Sequence, residues 1–271
     1  MKKYHLTISV VLYKNNPSEL RQLVNCISQT QLNYELFLID NSPTDALKTF
    51  GEEENIRYYF INKNMGFGKA QNIAIRNALD KSEYHLILNP DISFKKGTLE
   101  DIYAFMEANS DIGQLMPKVY YDNGNIQKLC KLLPHPADLI GRRFFLNFTP
   151  AQKRNKTYEL NGFAYDKVLD IPCLSGCFMF IRSSVLRQVG GFDPRYFMYL
   201  EDIDLTRRIN KVSRTVFYPN AQVKHAFKKG SYGSIRLLRY HIVSAIKYFN
   251  KWGWFFDDER DIFNKEVLSR L

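Results

Sequence analysis

The chain has 271 residues, enough for one large domain or two small ones around a substantial core. A 45% hydrophobic share against 24% charged residues excludes a disordered chain. The formal charge of +10, with a pI near 9.3, points to an anionic partner: a nucleic acid, an acidic membrane surface or a phosphorylated substrate.

The first predicted element is a strand over Leu6–Leu12, a nearly continuous apolar run suited to a parallel sheet buried on both faces. Its apolar core, Ile8–Leu12, is too short for a signal segment, so a first strand explains the start better. Pro17 opens a helix with Leu20, Leu23, Val24 and Ile27 on one face. Tyr34–Ile39 reads as a second strand, ending in the polar cluster Asp40-Asn41-Ser42. Ile56–Ile61 reads as a third, leading through Asn64-Met65-Gly66-Phe67-Gly68 into a helix that carries Ala70, Ile73, Ala74 and Ala78. A fourth, Tyr84–Leu88, runs straight into Asn89-Pro90-Asp91, and Pro90 stops its ladder. This alternation predicts an α/β layer with a mostly parallel central sheet over the first ~110 residues.

That fourth strand end organises the chain. In open α/β sheets, ligands bind at the carboxyl edge of the strands. The Asn89 amide and Asp91 carboxylate can offer hard oxygens to one small cation such as Mg²⁺ or Mn²⁺. Alone, Asn-Pro-Asp is good turn chemistry, but three other stretches fit the same site.

Beyond Asp111 the pattern changes. Met116–Tyr121 and Ile126–Leu132 flank Asp122-Asn123-Gly124-Asn125, which predicts a hairpin. Residues 134–165 carry Pro134, Pro136 and Pro150 with a basic cluster (Arg142, Arg143, Lys153, Arg154, Lys156) and give no readable element. Cys173–Arg182 reads as a strand with a glycine in it, followed by a short helix that Gly190 ends. A helix begins near Glu201, Thr215–Tyr218 is a short strand, and Val223-Lys224-His225 follows. The last ~45 residues interleave Arg236, Arg239, Lys247 and Lys251 with Leu237, Ile242, Val243 and Ile246, then end in Trp252-Gly253-Trp254-Phe255-Phe256. Such a helix either lies in the plane of an anionic bilayer or packs on the core; the aromatic end favours the bilayer. No run approaches the length of a membrane span. Cys26, Cys130, Cys173 and Cys177 include no second pair at zinc spacing and read as reduced thiols in a cytosolic protein.

Carboxylates gather at Glu201, Asp202 and Asp204. Of two adjacent acids, one can be held structurally while the other faces a cleft as a general base. His225, ahead of Lys228 and Lys229, can join a cation site with phosphate-binding lysines nearby. Gly66 and Gly68 permit close backbone approach to a ligand, but Gln71 stands where a dinucleotide fold needs a third glycine.

Taken in order, Val10-Val11-Leu12-Tyr13, Ile39-Asp40-Asn41-Ser42, Asn64-Met65-Gly66-Phe67-Gly68-Lys69-Ala70-Gln71-Asn72, Leu88-Asn89-Pro90-Asp91, Gly176-Cys177-Phe178-Met179, Gly191-Phe192-Asp193, Tyr196 to Leu205 and Val223-Lys224-His225 make the chain resemble the family 2 glycosyltransferases of the GT-A fold, within them the bacterial rhamnosyltransferase-like members. The resemblance covers roughly residues 6 to 230. It implies a Rossmann-like sheet with flanking helices and a C-terminal helical tail. The division it implies is a nucleotide-sugar half (1–115), an acceptor-side half with the base (116–226) and a basic aromatic tail (227–271). Tyr13 and Asp40 would line the base and ribose pocket, Asn64, Gly66 and Asn72 the nucleotide side of the cleft, and Asn41 would also bind the nucleotide-sugar. Asp91, with Asn89 where relatives carry a second Asp, would hold Mg²⁺ or Mn²⁺ and the diphosphate, with His225 as a further metal contact. Asp202 would be the catalytic base, supported by Glu201. Residues 226–231 hold fewer glycines than the family's phosphate loop.

The implied activity is inverting transfer of a sugar, L-rhamnose from dTDP-rhamnose or a hexose or N-acetylhexosamine from a UDP-sugar. The implied acceptor is a polyprenyl-diphosphate-linked glycan at the inner face of a bacterial cytoplasmic membrane, where the protein would bind peripherally. A nucleic-acid-binding reading of the basic charge finds no matching motif.

Overall fold

The structure, a computed structural model, describes residues 3–139, 149–226 and 234–271. It opens with β1 (Tyr4–Leu12), α1 (Pro17–Ile27), β2 (Tyr34–Asp40), β3 (Ile56–Phe60), α2 (Phe67–Ala78) and β4 (Ser82–Leu88). These follow the periodicity closely. The α1 helix starts where Asn16 accepts the Ser18 N–H and Pro17 supplies a preset φ, and it buries Leu20, Leu23, Val24 and Ile27. That face packs beneath Leu6, Ile8, Val10 and Leu12, all fully buried. On the opposite face, Ala70, Ala74 and Ala78 let α2 lie close against Phe37 and Ile39.

The first four strands run parallel in the order β3-β2-β1-β4. The order turns at β1, so the crevice past the ends of β1 and β4 is a topological switch point, the place where such sheets bind ligands. A buried polar seam joins these strands to α2. Thr7 Oγ1 and Ser9 Oγ contact the two ring nitrogens of His85 at 2.9 and 3.0 Å, and Ser9 donates to Gln71 Oε1 at 2.6 Å. Burial alone pulls the His85 imidazole down to about 3, so it is neutral.

The second half is β5 (Ile92–Phe94), α3 (Thr98–Ala108), β6 (Ile112–Tyr120), α4 (Thr149–Tyr158), β7 (Leu169–Asp170), β8 (Phe178–Arg182), α5 (Ser183–Val189), α6 (Glu201–Asn210), β9 (Arg214–His225), α7 (Ile235–Trp252) and α8 (Asp258–Ser269). The sheet continues as β4-β8-β6-β9-β5, with β7 also on β9. Here it is mixed: β8 lies antiparallel between β4 and β6, whereas β6 and β9 run parallel. The mostly parallel character expected of the opening α/β layer is found there, and the antiparallel pairings come with the second half. Residue 115 falls inside β6, and the β4–β8 pair joins the two halves in one sheet.

The hairpin expected over 116–132 is reduced to a tight turn with one bridge, Tyr120 to Ile126. β6 is bonded to β8 and β9, so it has little edge left for a second arm. Cys130 and Leu132 instead join Tyr158, Tyr165, Ile171 and Phe217 in a separate apolar cluster. Within the unread stretch 134–165, the described residues include α4.

The C-terminal helices pack on the core. Tyr248 and Phe249 bury against Tyr196 and Leu200. Arg207 of α6, with its side chain 1% exposed, donates to Asp257 at 2.8 and 2.5 Å and to Glu259 at 2.9 Å. The two tryptophans expected at a bilayer are used inside this joint. Trp252 lies 4.1 Å from the Arg207 guanidinium and donates to Asp204, and Trp254 packs on Phe249. The outer surface keeps Ile235, Ile242, Val243, Ile246, Phe255 and Phe256 exposed.

Candidate active site

Strand ends bring most of the expected donor-side residues to one edge. Tyr13 follows β1 and is 44% exposed. Asp40 ends β2 fully buried, its carboxylate accepting the Ser42 N–H at 2.8 Å and the Tyr58 hydroxyl at 2.6 Å. The Asn41 amide donates to the Gly66 carbonyl at 3.2 Å, and its Oδ1 is buried with no partner. Asn64 Oδ1 accepts the Gly66 N–H at 3.1 Å. Gly66 has φ of +87°, and a Cβ there would lie 2.2 Å from the Phe197 carbonyl oxygen, so only glycine fits. The next residue donates its own N–H to that carbonyl at 3.1 Å. The loop ahead of α2 is thereby fastened to the segment ahead of α6.

Asp91 and His225 meet where β5 leaves the β4 end and pairs with the last turn of β9. Asp91 Oδ1 lies 3.2 Å from His225 Nε2, with the Asn89 amide 3.4 Å from the same nitrogen. Gln127 donates to the His225 carbonyl at 2.7 Å, which turns its Oε1 to ring Nδ1 at 3.0 Å. Nδ1 therefore carries the proton, and Nε2 aims its lone pair at a carboxylate. That arrangement needs a positive charge between them. A proton supplies it here: burial pulls the ring down, but the Asp91 carboxylate and the neighbouring Cys177 outweigh it and raise the imidazole to about 10. A divalent cation would serve equally. The Gln127 bond is the outer-shell contact that metal-binding histidines use to fix their tautomer. Among the described residues no group of three His, Cys, Asp or Glu side chains could hold a metal. One carboxylate suffices for Mg²⁺ or Mn²⁺ when substrate phosphates complete the shell, so Asp91 fits such an ion with the His225 nitrogen as a softer second donor.

The acids open α6. Tyr199 and Leu200, just ahead, both have left-handed backbones (φ of 71° and 63°), held by ring contact with His241 and burial beside Tyr248. Asp202 Oδ2 accepts the Gly176 N–H and Oδ1 the Ile203 N–H, each at 2.9 Å. Glu201 is 6% exposed with Oε2 unpartnered. Burial pushes both carboxyls up. The charge of Asp202 pushes Glu201 further, whereas the two N–H bonds and Lys131 pull Asp202 back. The two backbone N–H bonds favour the ionised form of Asp202, and Glu201, whose Oε2 has no such bond, is raised to about 8. Asp204 is fully buried between Arg208, Lys251 and Trp252 and belongs to the tail joint.

The model of the family Glycosyl transferase family 2 matches residues 8–190. The chain belongs to that family. As a family 2 glycosyltransferase it is 28% identical over 235 residues to N-acetylglucosaminyl-diphospho-decaprenol L-rhamnosyltransferase of Mycobacterium tuberculosis, covering 81% of this chain and 75% of that one. It is 24% identical to rhamnosyltransferase WbbL of Escherichia coli, covering 88% and 90%. Among solved structures, TarS (residues 1–349) of S. aureus aligns with a TM-score of 0.60 and 16% identity over 98% of this chain and 71% of that one. The mannosyltransferase PcManGT of Pyrobaculum calidifontis, solved with GDP-Man and Mn²⁺, aligns at 0.58 and 17% over 91% and 65%. These likenesses show the GT-A fold.

In this glycosyltransferase a cavity of about 420 Å³ opens between the sheet's strand ends and the C-terminal tail. Asn89, His225, Glu201 and Asp202 line it, together with Lys131, Tyr158, Ser175 and His241, which sequence reasoning passed over. Lys131 gave one signal, a charge inside an apolar run; Tyr158 lies in the unread stretch. Asn72, expected on the nucleotide side, is engaged with the Phe192 backbone. Its amide donates to the Phe192 carbonyl at 2.7 Å and accepts the Phe192 N–H at 2.8 Å, so it fastens a loop to α2. Lys228, Lys229 and the expected phosphate loop lie outside the described residues.

Proposed function

We propose that this family 2 glycosyltransferase is an inverting rhamnosyltransferase. It moves L-rhamnose from dTDP-rhamnose onto a lipid-linked glycan for a bacterial surface polysaccharide such as an O-antigen or capsule. One observation carries the mechanism: the Asp202 carboxylate, held by two backbone N–H groups, borders the same cavity as Asn89 and His225. The names of the two relatives, which this chain covers over most of its length, support the sugar and the lipid-linked acceptor.

Residues 1–115 hold the donor, with Tyr13, Asp40, Asn41, Asn64 and Gly66 around the nucleoside and Asn89 and Asp91 at the diphosphate. Asp91 and His225 would hold Mg²⁺ or Mn²⁺, which when bound offsets negative charge on the departing nucleoside diphosphate. Residues 116–226 hold the acceptor. Asp202 takes the proton from the acceptor hydroxyl as that oxygen attacks the anomeric carbon on the face opposite the diphosphate. Glu201, kept neutral behind it, adds no second charge to the cavity. Among the described residues these two are the only carboxylates lining the cavity, so direct displacement with inversion is the favoured course. The protein works at the inner face of the cytoplasmic membrane. No helix among the described residues is long and apolar enough to cross a bilayer, and the exposed Phe255 and Phe256 beside basic α7 suit peripheral contact.

Calorimetric titration of dTDP-rhamnose, UDP-glucose, UDP-galactose and UDP-N-acetylglucosamine, each with and without Mg²⁺ or Mn²⁺, tests this reading. Metal-strengthened preference for dTDP-rhamnose is expected. Preference for a UDP-sugar would overturn the choice of sugar, and binding of none would overturn the enzyme.

A further inference from the structure

We propose that Lys131 and His241 form a phosphate subsite that recognises the diphosphate of a lipid-linked acceptor, and that α7 carries its lipid away from the base. This rests on the acceptor class proposed above and names the residues that select it.

The cavity is asymmetric in chemistry. Its anion, Asp202, suits a hydroxyl. A second acidic partner would repel an acceptor phosphate, but Glu201 is neutral and buried. Lys131 lines the cavity from the segment after β6, which is pinned where the Lys131 N–H meets the Cys173 carbonyl at 3.2 Å. Its ammonium lies 6.0 Å over the Tyr158 ring, so the side chain is directed rather than splayed into solvent. Its charge reaches Asp202, which it helps to keep ionised. His241 lines the cavity from α7, its ring 5.4 Å from that of Tyr199. A neutral sugar needs neither an ammonium nor an imidazole N–H beside the base. A phosphate one pyranose ring from the attacking hydroxyl needs both.

The apolar lining has a direction. Leu237 and Leu238 of α7 face the cavity. Four residues apart along the same helix face, Leu238, Ile242 and Ile246 form one ridge, and the last two are 43% and 44% exposed. The ridge leads out of the cavity along a helix that also bears Arg239 and Lys247. The base, the Lys131–His241 pair and the start of the apolar ridge thus share one cavity, matching the sugar, diphosphate and lipid of such an acceptor.

Two acceptor probes separate this role from simple packing: farnesyl-diphosphate-linked N-acetylglucosamine and neutral octyl N-acetylglucosaminide. Each is titrated calorimetrically into the full chain and into Lys131→Gln, Lys131→Arg and His241→Gln. The wild type should bind the diphosphate probe at least tenfold tighter than the neutral one. Lys131→Gln and His241→Gln should each lose about tenfold for the diphosphate probe alone, and Lys131→Arg should restore it. Equal wild-type affinity for the two probes, or an equal loss for both in Lys131→Gln, would overturn the subsite. Titrating dTDP-rhamnose into the same samples keeps the questions apart. Failure there strikes the proposed donor, and intact donor binding with undiscriminating acceptor binding strikes only the subsite.

Discussion

Replacing Arg207 with methionine should loosen the C-terminal helices from α6. The guanidinium is buried and meets both Asp257 oxygens, Glu259, the Tyr248 hydroxyl at 3.3 Å and the Trp252 ring. Methionine keeps much of the stem volume but leaves Asp257, 4% exposed at its side chain, without its main counter-charge. Breaking a buried pair from one side costs about 3–5 kcal/mol. Asp257 retains the Arg260 N–H at 3.1 Å and the Arg260 guanidinium at 3.9 Å, which places the loss near the lower end, about 3 kcal/mol. Urea unfolding followed by tryptophan fluorescence reads this directly, because both tryptophans of the chain, Trp252 and Trp254, sit at the joint. In a double-mutant cycle, Asp257→Asn should recover part of the loss, with a coupling of about 1 kcal/mol or more. A loss under about 1 kcal/mol, or strict additivity with Asp257→Asn, would refute the view that this ion pair fastens the tail.

Asp202→Asn should lower kcat by about 10²–10⁴ with donor affinity unchanged, whereas Glu201→Gln, which imitates the neutral acid, should keep most activity; steady-state kinetics with equal losses for both would undo the division of roles. Because His85 is held near 3 when folded against 6.5 unfolded, its contribution is intact above about pH 6.5 and is lost as the pH falls below it, by about 1.4 kcal/mol per unit. Urea midpoints should therefore converge between wild type and His85→Asn from pH 7 to about pH 4.5, and a constant gap would contradict the neutral buried imidazole. Phe255→Ser with Phe256→Ser should weaken binding to anionic vesicles in a sedimentation assay without changing the unfolding midpoint, since both rings are largely exposed. Unaltered sedimentation would remove them from any membrane contact.

The first half was legible because its signals are local. An apolar strand, a proline-started helix and a polar strand end each occupy a few consecutive residues, and α1 and β4 formed where they were expected. The second half depends on pairing between distant segments. The hairpin after Met116 is good turn chemistry, but β8 and β9 compete for the edges of β6 and win. The pair Glu201-Asp202 could be picked out by type, yet the choice of proton carrier rests on Gly176, which lies 26 residues upstream. Asn72 and Asp40 show the reverse: polar residues at plausible positions whose nearest partners, Phe192 and Tyr58, come from elsewhere in the chain. The tryptophans of the tail are ambiguous for the same reason. An aromatic ring reads alike whether it faces lipid or an arginine from another helix.

The weld between Gly66 and Phe197 has a kinetic consequence. The loop ahead of α2 and the turn ahead of α6 share a backbone hydrogen bond, with no room for even a methyl group between them. Any shift of the Asn64–Gly66 loop is therefore passed to the turn ahead of α6, and with it to Asp202. Gly66→Ala should then disturb both loops at once, lowering donor affinity and kcat together; loss of one alone would mean that the two loops move independently.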